Sequence, residues 1–338
     1  MHSVSVIISN FNGAKYLPRL FETLRSQRGV ELEIIVVDRN SSDASDSILA
    51  QHPEVRVIKH PPETGLVCGY AVGAEVATKD LLYFCNEDMW LEPDCLRLLA
   101  EKMDLPARVG AVMPVQWTYD MKDIVTCGYW LEKAVWCRSN PYPFRVSRWH
   151  LPARTCVVTS INAGACLVHR QVYDEIGGWD RSFFLDYEDM DLAVRLWQHE
   201  WWSLVVPEAR VGHAVGASNN QSINGGRQKV SRKRYIEGSS NVPAVAVKTF
   251  TGPALLLPFV ALAGRLLANA VKFRGLQMWW DVLVFAKLFQ RLPELLEYRR
   301  VNAGTNQRRP GQRFFTEPQF DYSVMSDNRA PCKPDISL

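Results

Sequence analysis

The sequence predicts an α/β fold built on a mostly parallel sheet, extended by helices on its C-terminal side. Two observations carry that class. Short apolar runs of strand length alternate with segments whose apolar residues recur at intervals of three and four, and the runs stop at polar clusters. The composition allows such a fold, since 47% of the 338 residues are hydrophobic and 22% are charged.

Ser3–Ser9 is the first apolar run, and Asn10-Phe11-Asn12-Gly13 turns it. Leu17, Leu20, Phe21 and Leu24 then mark one face of a helix over 15–27, and Glu33–Asp38 reads as a second buried strand. Asn40-Ser41-Ser42-Asp43 supplies turn and cap residues before a helix running through residue 51. Val55–Ile58 is a third strand, residues 69–77 a helix, and Leu81–Phe84 a fourth strand stopped by Asn86-Glu87-Asp88. Buried strands separated by helices pair in parallel through right-handed crossovers. Beyond residue 110 the pattern loosens around Trp117, Trp130, Trp136 and Trp149, and then returns as Ala165–Val168, a helix over 171–176 and the strand-like Ser203–Val206.

Sheets of this kind bind ligands beyond the carboxyl ends of their strands. Those ends carry Asn10, Asn12, Asp38, Asn40, Asn86 and Asp88, a line that suits a nucleotide site, although turn chemistry alone also favours Asn and Asp. Asp186, Glu188, Asp189 and Asp191 place four carboxylates within six positions at a helix start. The helix dipole accounts for one or two of them, not four.

Five ordered motifs go further. They are Val6–Asn12, Val36–Asp43, Asn86-Glu87-Asp88, Gly177-Gly178-Trp179-Asp180 through Tyr187-Glu188-Asp189-Met190-Asp191-Leu192, and Val206–His213. In these the chain resembles family 2 glycosyltransferases of the GT-A fold, and among them the bacterial rhamnosyltransferase-type members. The resemblance implies an inverting transferase that moves a sugar, rhamnose being one candidate, from a dTDP-, UDP- or GDP-linked donor to a glycan or lipid-linked acceptor in cell-surface glycan synthesis. It implies that Ser9, Asn10, Asn12 and Asp38 hold the nucleobase and ribose, with Asn40, Gly65, Asn86 and Glu87 also on the donor side. Asp88 and His213 would be ligands of a divalent metal, Mg²⁺ or Mn²⁺. Asp189 would be the general base beside Glu188, with Trp179 and Asp180 on the acceptor side.

The chemistry agrees with those roles. A departing diphosphate is stabilised by a hard divalent cation, and an attacking hydroxyl needs a base whose proton affinity neighbouring carboxylates raise. Each residue also has a plainer reading: a satisfied core histidine for His213, a turn cap for Asp38, core packing for Trp179. Three positions depart from the family pattern: Asn86 where a first DxD aspartate is common, Arg39 where Asn is usual, and Glu63-Thr64-Gly65 in place of Asn-x-Gly. A catalytically silent scaffold of the same fold and a sugar-phosphate nucleotidyltransferase are the competing classes. The second would want a Gly-rich basic phosphate loop after the first strand, and Asn10–Lys15 is a poor one.

The expected organisation is a catalytic domain over 1–225, with a donor half to about 110 and an acceptor half over 111–225. A basic amphipathic helical segment over 226–300 and a loosely ordered tail over 301–338 follow. Residues 227–313 hold 16 Lys or Arg against 4 Asp or Glu. Long aliphatic faces interleave with those charges and with Trp279-Trp280, which favours an anionic membrane surface over nucleic acid, with helices packing on the protein as the alternative. The uncharged run Phe250–Gly264 is too short to span a bilayer. Scattered cysteines without a CxxC pair and no visible export signal point to a cytoplasmic protein, peripheral on the inner face of the cell membrane.

Overall fold

The computed structural model describes residues 1–61, 65–105, 108–129, 151–215, 231–249, 255–272 and 274–302. Strands β1 (His2–Asn10), β2 (Val30–Asp38) and β3 (Val55–Lys59) pair in parallel, and β4 (Leu81–Asn86) runs parallel along the other edge of β1. Alternate side chains of β1 enter opposite layers, as strand geometry requires. Val4, Val6 and Ile8 pack with Leu17, Leu20 and Phe21 of α1 (Leu17–Arg25). Ile7 lies beneath α3 (Gly65–Val76), so close that a Cβ on Gly73 would fall 2.3 Å from it. The short α2 (Ser45–Leu49) joins β2 to β3.

The second half adds β5 (Met89–Leu91), α4 (Cys95–Met103), β6 (Val109–Thr118), β7 (Ile124–Thr126), β8 (Cys156–Val158), β9 (Ala165–His169), α5 (Arg170–Glu175), α6 (Glu188–Gln198) and β10 (Trp202–His213). The strand order is β3-β2-β1-β4-β9-β6-β10-β5, with β7 on β6 and β8 on β10. β9 is antiparallel to both β4 and β6, so the sheet is mixed, parallel through its first half and around β6–β10. β10 extends well past the four residues that its apolar run suggests. A register shift between Val206 and Arg210 absorbs Pro207, which has no N–H for the ladder, and the strand then carries His213 to Met89 and Thr118.

Helices α7 (Arg232–Thr249), α8 (Leu257–Val271) and α9 (Gly275–Val301) complete the described chain. The first of these, α7, packs against α6. Asn241, Ala244, Val245, Ala246 and Lys248 of α7 are fully buried. Lys248 Nζ lies 2.6 Å from Asp180 Oδ2 and 2.5 Å from Asp191 Oδ1, while Arg195 takes the other oxygen of Asp191 at 2.6 Å. A buried ammonium survives only with such matched partners. Burial opposes ionisation of Asp180, but the charge and hydrogen bond of Lys248 outweigh it and hold the carboxyl well below the usual range. The expected tail, beyond residue 302, lies outside the described residues, as do 130–150 of the irregular half. No helix among the described residues is long and apolar enough to cross a membrane.

Replacing Lys248 by Met leaves two buried carboxylates without their shared cation. Urea denaturation of Lys248→Met should show a loss of about 3–5 kcal/mol, the range for breaking a buried pair. A loss below about 1 kcal/mol would place the stability of this layer elsewhere.

Candidate active site

The polar clusters at the ends of β1, β2, β4, β10 and the start of α6 converge on one edge of the sheet. At its rear, Asn10 and Asp38 are 0% exposed. Asn10 Nδ2 donates to Asp38 Oδ1 at 2.7 Å, Ser41 Oγ donates to the same oxygen at 2.6 Å, and Lys59 Nζ sits 2.9 Å from Oδ2. These bonds hold Asn10 and Asp38 together behind the strand ends. Asn12 and Asn40 adopt left-handed φ values of 56° and 55°, and the Asn12 side chain accepts from the Ser42 N–H at 2.8 Å. Ser9 Oγ donates to the Leu66 carbonyl at 3.1 Å. Gly65, at φ 78°, passes so near the Phe184 carbonyl that a Cβ would lie 2.4 Å from it, which ties the donor wall to the chain leading into α6.

The Asn86-Glu87-Asp88 turn stands at the centre. Asn86 accepts from Tyr70 Oη at 2.5 Å. Glu87 is buried, and burial together with the Asp88 charge pushes its pKa up to about 8 against the pull of Arg39. Arg39, stacked on Phe11, has a buried Nε without a hydrogen-bond partner. Asp88 is 5% exposed, and its Oδ1 lies 3.3 Å from His213 Nε2 without a hydrogen bond. A buried carboxylate oxygen left open beside an imidazole nitrogen fits a shared cation.

The rest of the imidazole supports that fit. His213 Nδ1 faces Gln116 Oε1 at 3.0 Å, and Gln116 is held in that orientation because its Nε2 donates to Asn162 Oδ1 at 2.8 Å. Gln116 Oε1 can only accept, so Nδ1 carries the proton and the Nε2 lone pair points toward Asp88. Among the described residues no group of three or more His, Cys, Asp or Glu is placed to hold a metal ion, so a cation here would draw its remaining ligands from a bound diphosphate and water.

Asn162 Nδ2 donates to Tyr129 Oη at 2.9 Å, and Tyr129 feels the charge of Asp189. That chain of contacts connects the Asp88–His213 pair to the start of α6. The four clustered carboxylates there divide sharply. Arg234 grips Asp186 through two hydrogen bonds at 2.9 and 2.8 Å, and Asp191 is neutralised by Lys248 and Arg195. Among the described residues, Glu188 and Asp189 have no ion pair within 4 Å. Burial, followed by the charges of Asp189 and Asp186, pushes Glu188 well up. Burial chiefly, with the charge of Asp186 adding, pushes Asp189 up to about 7 even though the Met190 N–H favours its ionised form.

Trp179 is 4% exposed and packs on Phe84 and Tyr70, and the Asp180 carboxylate pairs with Lys248. Residues that the sequence reading missed include Gln116, Asn162 and Tyr129. Gln116 had a signal: it is the lone amide inside the apolar run Val109–Trp117, where a polar side chain needs a buried partner.

Proton-detected ¹⁵N spectra of the imidazole should show neutral His213 protonated on Nδ1 alone. Gln116→Leu removes the acceptor and should yield a mixture of tautomers; an unchanged spectrum in the variant would show that Gln116 does not set the proton position.

The family model described as Glycosyl transferase family 2 matches residues 5–170. A polypeptide N-acetylgalactosaminyltransferase 8 of Drosophila melanogaster is 26% identical over 266 residues, covering 69% of this chain and 42% of that protein. An N-acetylglucosaminyl-diphospho-decaprenol L-rhamnosyltransferase of Mycobacterium tuberculosis is 23% identical over 231 residues, covering 62% of this chain and 75% of that protein. The chain thus spans less than half the length of the first relative and three quarters of the second. Among solved structures, GalNAc-T7 with UDP, GalNAc and Mn²⁺ superposes with a TM-score of 0.60 at 14% identity, over 98% of this chain and 58% of that one. Residues 1–349 of S. aureus TarS superpose with a TM-score of 0.54 at 13% identity, over 93% and 91%. Residues 5–170 thus match glycosyl transferase family 2, and the chain shares the GT-A fold of these solved structures.

Proposed function

We propose that the chain is an inverting glycosyltransferase of cell-surface glycan synthesis. It moves a sugar, rhamnose being the class that the mycobacterial relative's name carries, from a nucleoside diphosphate to a hydroxyl of a lipid-linked or polysaccharide acceptor. The observation that carries this reading is the Glu188–Asp189 pair, one carboxyl buried and the other half-buried, both of raised proton affinity and set between two cation-paired neighbours.

Ionised Asp189 accepts the acceptor hydroxyl proton as that oxygen bonds to the anomeric carbon. The bond from that carbon to the diphosphate oxygen breaks on the opposite face, and the nucleoside diphosphate leaves with the electron pair. Asp88 and His213 would hold a divalent cation, Mg²⁺ or Mn²⁺, whose charge stabilises the leaving diphosphate. Glu188, held protonated by burial, keeps a second negative charge away from the reacting oxygen. The donor's dTDP, UDP or GDP class is read by a melting-temperature panel of the three nucleotides with Mn²⁺, Mg²⁺ or chelator.

Because the base works ionised, kcat should rise with pH through the Asp189 titration, at about 7, and fall away below it. Asp189→Asn should lower kcat by about 10²–10⁴-fold while calorimetric donor affinity stays unchanged. Wild-type rates in that variant would remove Asp189 from the chemistry.

The lipid link draws support from the outer face of α8 and α9. Leu256, Val260, Leu267, Val271, Leu276 and Trp279 are 54–69% exposed there, beside exposed Lys272 and Arg274. No acidic residue occurs between Glu237 and Asp281, so the face complements an anionic leaflet on the cytoplasmic side. Replacing Leu267 and Trp279 together by Ser should reduce cosedimentation with phosphatidylglycerol vesicles by about tenfold or more. Equal binding by variant and parent would place membrane contact elsewhere.

A further inference from the structure

We infer that Asn241 of α7 is a positioning residue for the general base: its carboxamide holds the left-handed turn from which α6 starts, and so directs Asp189. The inference rests on the base role proposed for Asp189 and adds a residue that none of the sequence motifs contains.

Asp186 and Tyr187 have φ values of 67° and 68°, two consecutive side-chain-bearing residues in the region that glycine prefers. Such conformations persist only where the surroundings over-determine them. Here the surroundings are α7. Asn241 Nδ2 donates to the Leu185 carbonyl at 3.1 Å and to the Asp186 carbonyl at 2.7 Å, which uses both of its amide protons. Its Oδ1 accepts from Arg291 Nη1 of α9 at 2.7 Å, so the amide cannot flip without setting donor against donor. Gly238, one turn earlier, lets α7 approach until a Cβ would lie 3.2 Å from Asp186 Oδ2, and Arg234 holds the same carboxylate. Tyr187 is the residue before α6, and Asp189 follows it by two positions. A change in this turn rotates the first residues of the helix, where a small error in aim at the acceptor oxygen is costly.

The groups facing Asp189 are Asp186, Tyr187 and Glu188 on its own segment, Tyr129, and Cys166 of β9, with Arg234 of α7 acting on Glu188. Relaxing the turn changes the distance between Asp189 and Asp186, and so moves the acid limb of the rate profile. A residue that merely stabilised the fold would leave that limb in place.

The test uses the full chain with three variants. Asn241→Asp keeps the shape but turns a carboxylate oxygen toward two carbonyls. It should lower kcat by about tenfold or more, leave calorimetric donor affinity unchanged and displace the acid limb. Asn241→Ser keeps one donor and should fall between Asn241→Asp and the parent; it decides the matter alone if Asn241→Asp does not fold. Asp189→Asn, measured in parallel, separates the two ideas. Full transfer in that variant overturns the base reading and the positioning role together. Loss of transfer in it, alongside parental kcat and an unmoved acid limb in the folded Asn241 variants, overturns the positioning role alone.

Discussion

Lys248 supplies the charge on which the catalytic layer depends. A carboxylate inside protein is costly unless a cation and hydrogen bonds replace its water, and Asp180 and Asp191 are both brought inward by the packing of α6 against the sheet. One ammonium from α7 answers both, and Arg195 completes Asp191 while donating to the carbonyls of Ile176 and Gly178. The Gly177–Asp180 loop, the first turns of α6 and α7 are thereby locked into a single unit. Aromatic faces complete the enclosure, with the Tyr298 ring centroid 4.3 Å from the ammonium.

That lock explains why four carboxylates stand so close together without equivalent chemistry. Asp186 and Asp191 are bound to cations and behave as framework. Glu188 and Asp189 lie between them; burial raises the proton affinity of both, with the charges of Asp189 and Asp186 adding at Glu188 and that of Asp186 at Asp189. The chemistry therefore comes from the distribution of cations around the motif as much as from the motif. Two strand-end carboxylates show the same contrast: Asp38 is saturated by Asn10, Ser41 and Lys59, whereas Asp88 keeps an open oxygen beside His213.

Much of the fold was legible because its first half obeys local rules. The apolar runs of β1, β2 and β4 match their strand period and burial, and the 3.6-residue pattern of α1 faces the core. The antiparallel insertion of β9 could not be read, since pairing partners are chosen by tertiary packing and a short apolar run looks the same in either direction. β10 looked short because Pro207 interrupts its apolar run, although a bulge lets the strand continue. In the candidate site, strand-end polarity drew Asp38 and Asp88 alike, and it could not separate them, because the distinction lies in partners far along the chain. The amphipathic basic helices at the C-terminal side read either as a membrane-facing segment or as helices packing on the protein. Their inner residues Asn241, Lys248 and Arg291 are buried on the α6 side, while Leu267 of α8 and Trp279 of α9 are exposed.

The partners of α6 also impose an order on biosynthesis. Asp191 and Lys248 are 57 residues apart in sequence, with the cation downstream. A nascent chain that has released α6 into solution still lacks the ammonium that permits its burial, so the helix stays hydrated until α7 follows. The donor half, whose strands pair with near neighbours, can consolidate earlier. A chain ending before α7 would thus present the acidic motif without the ammonium that pairs with Asp191.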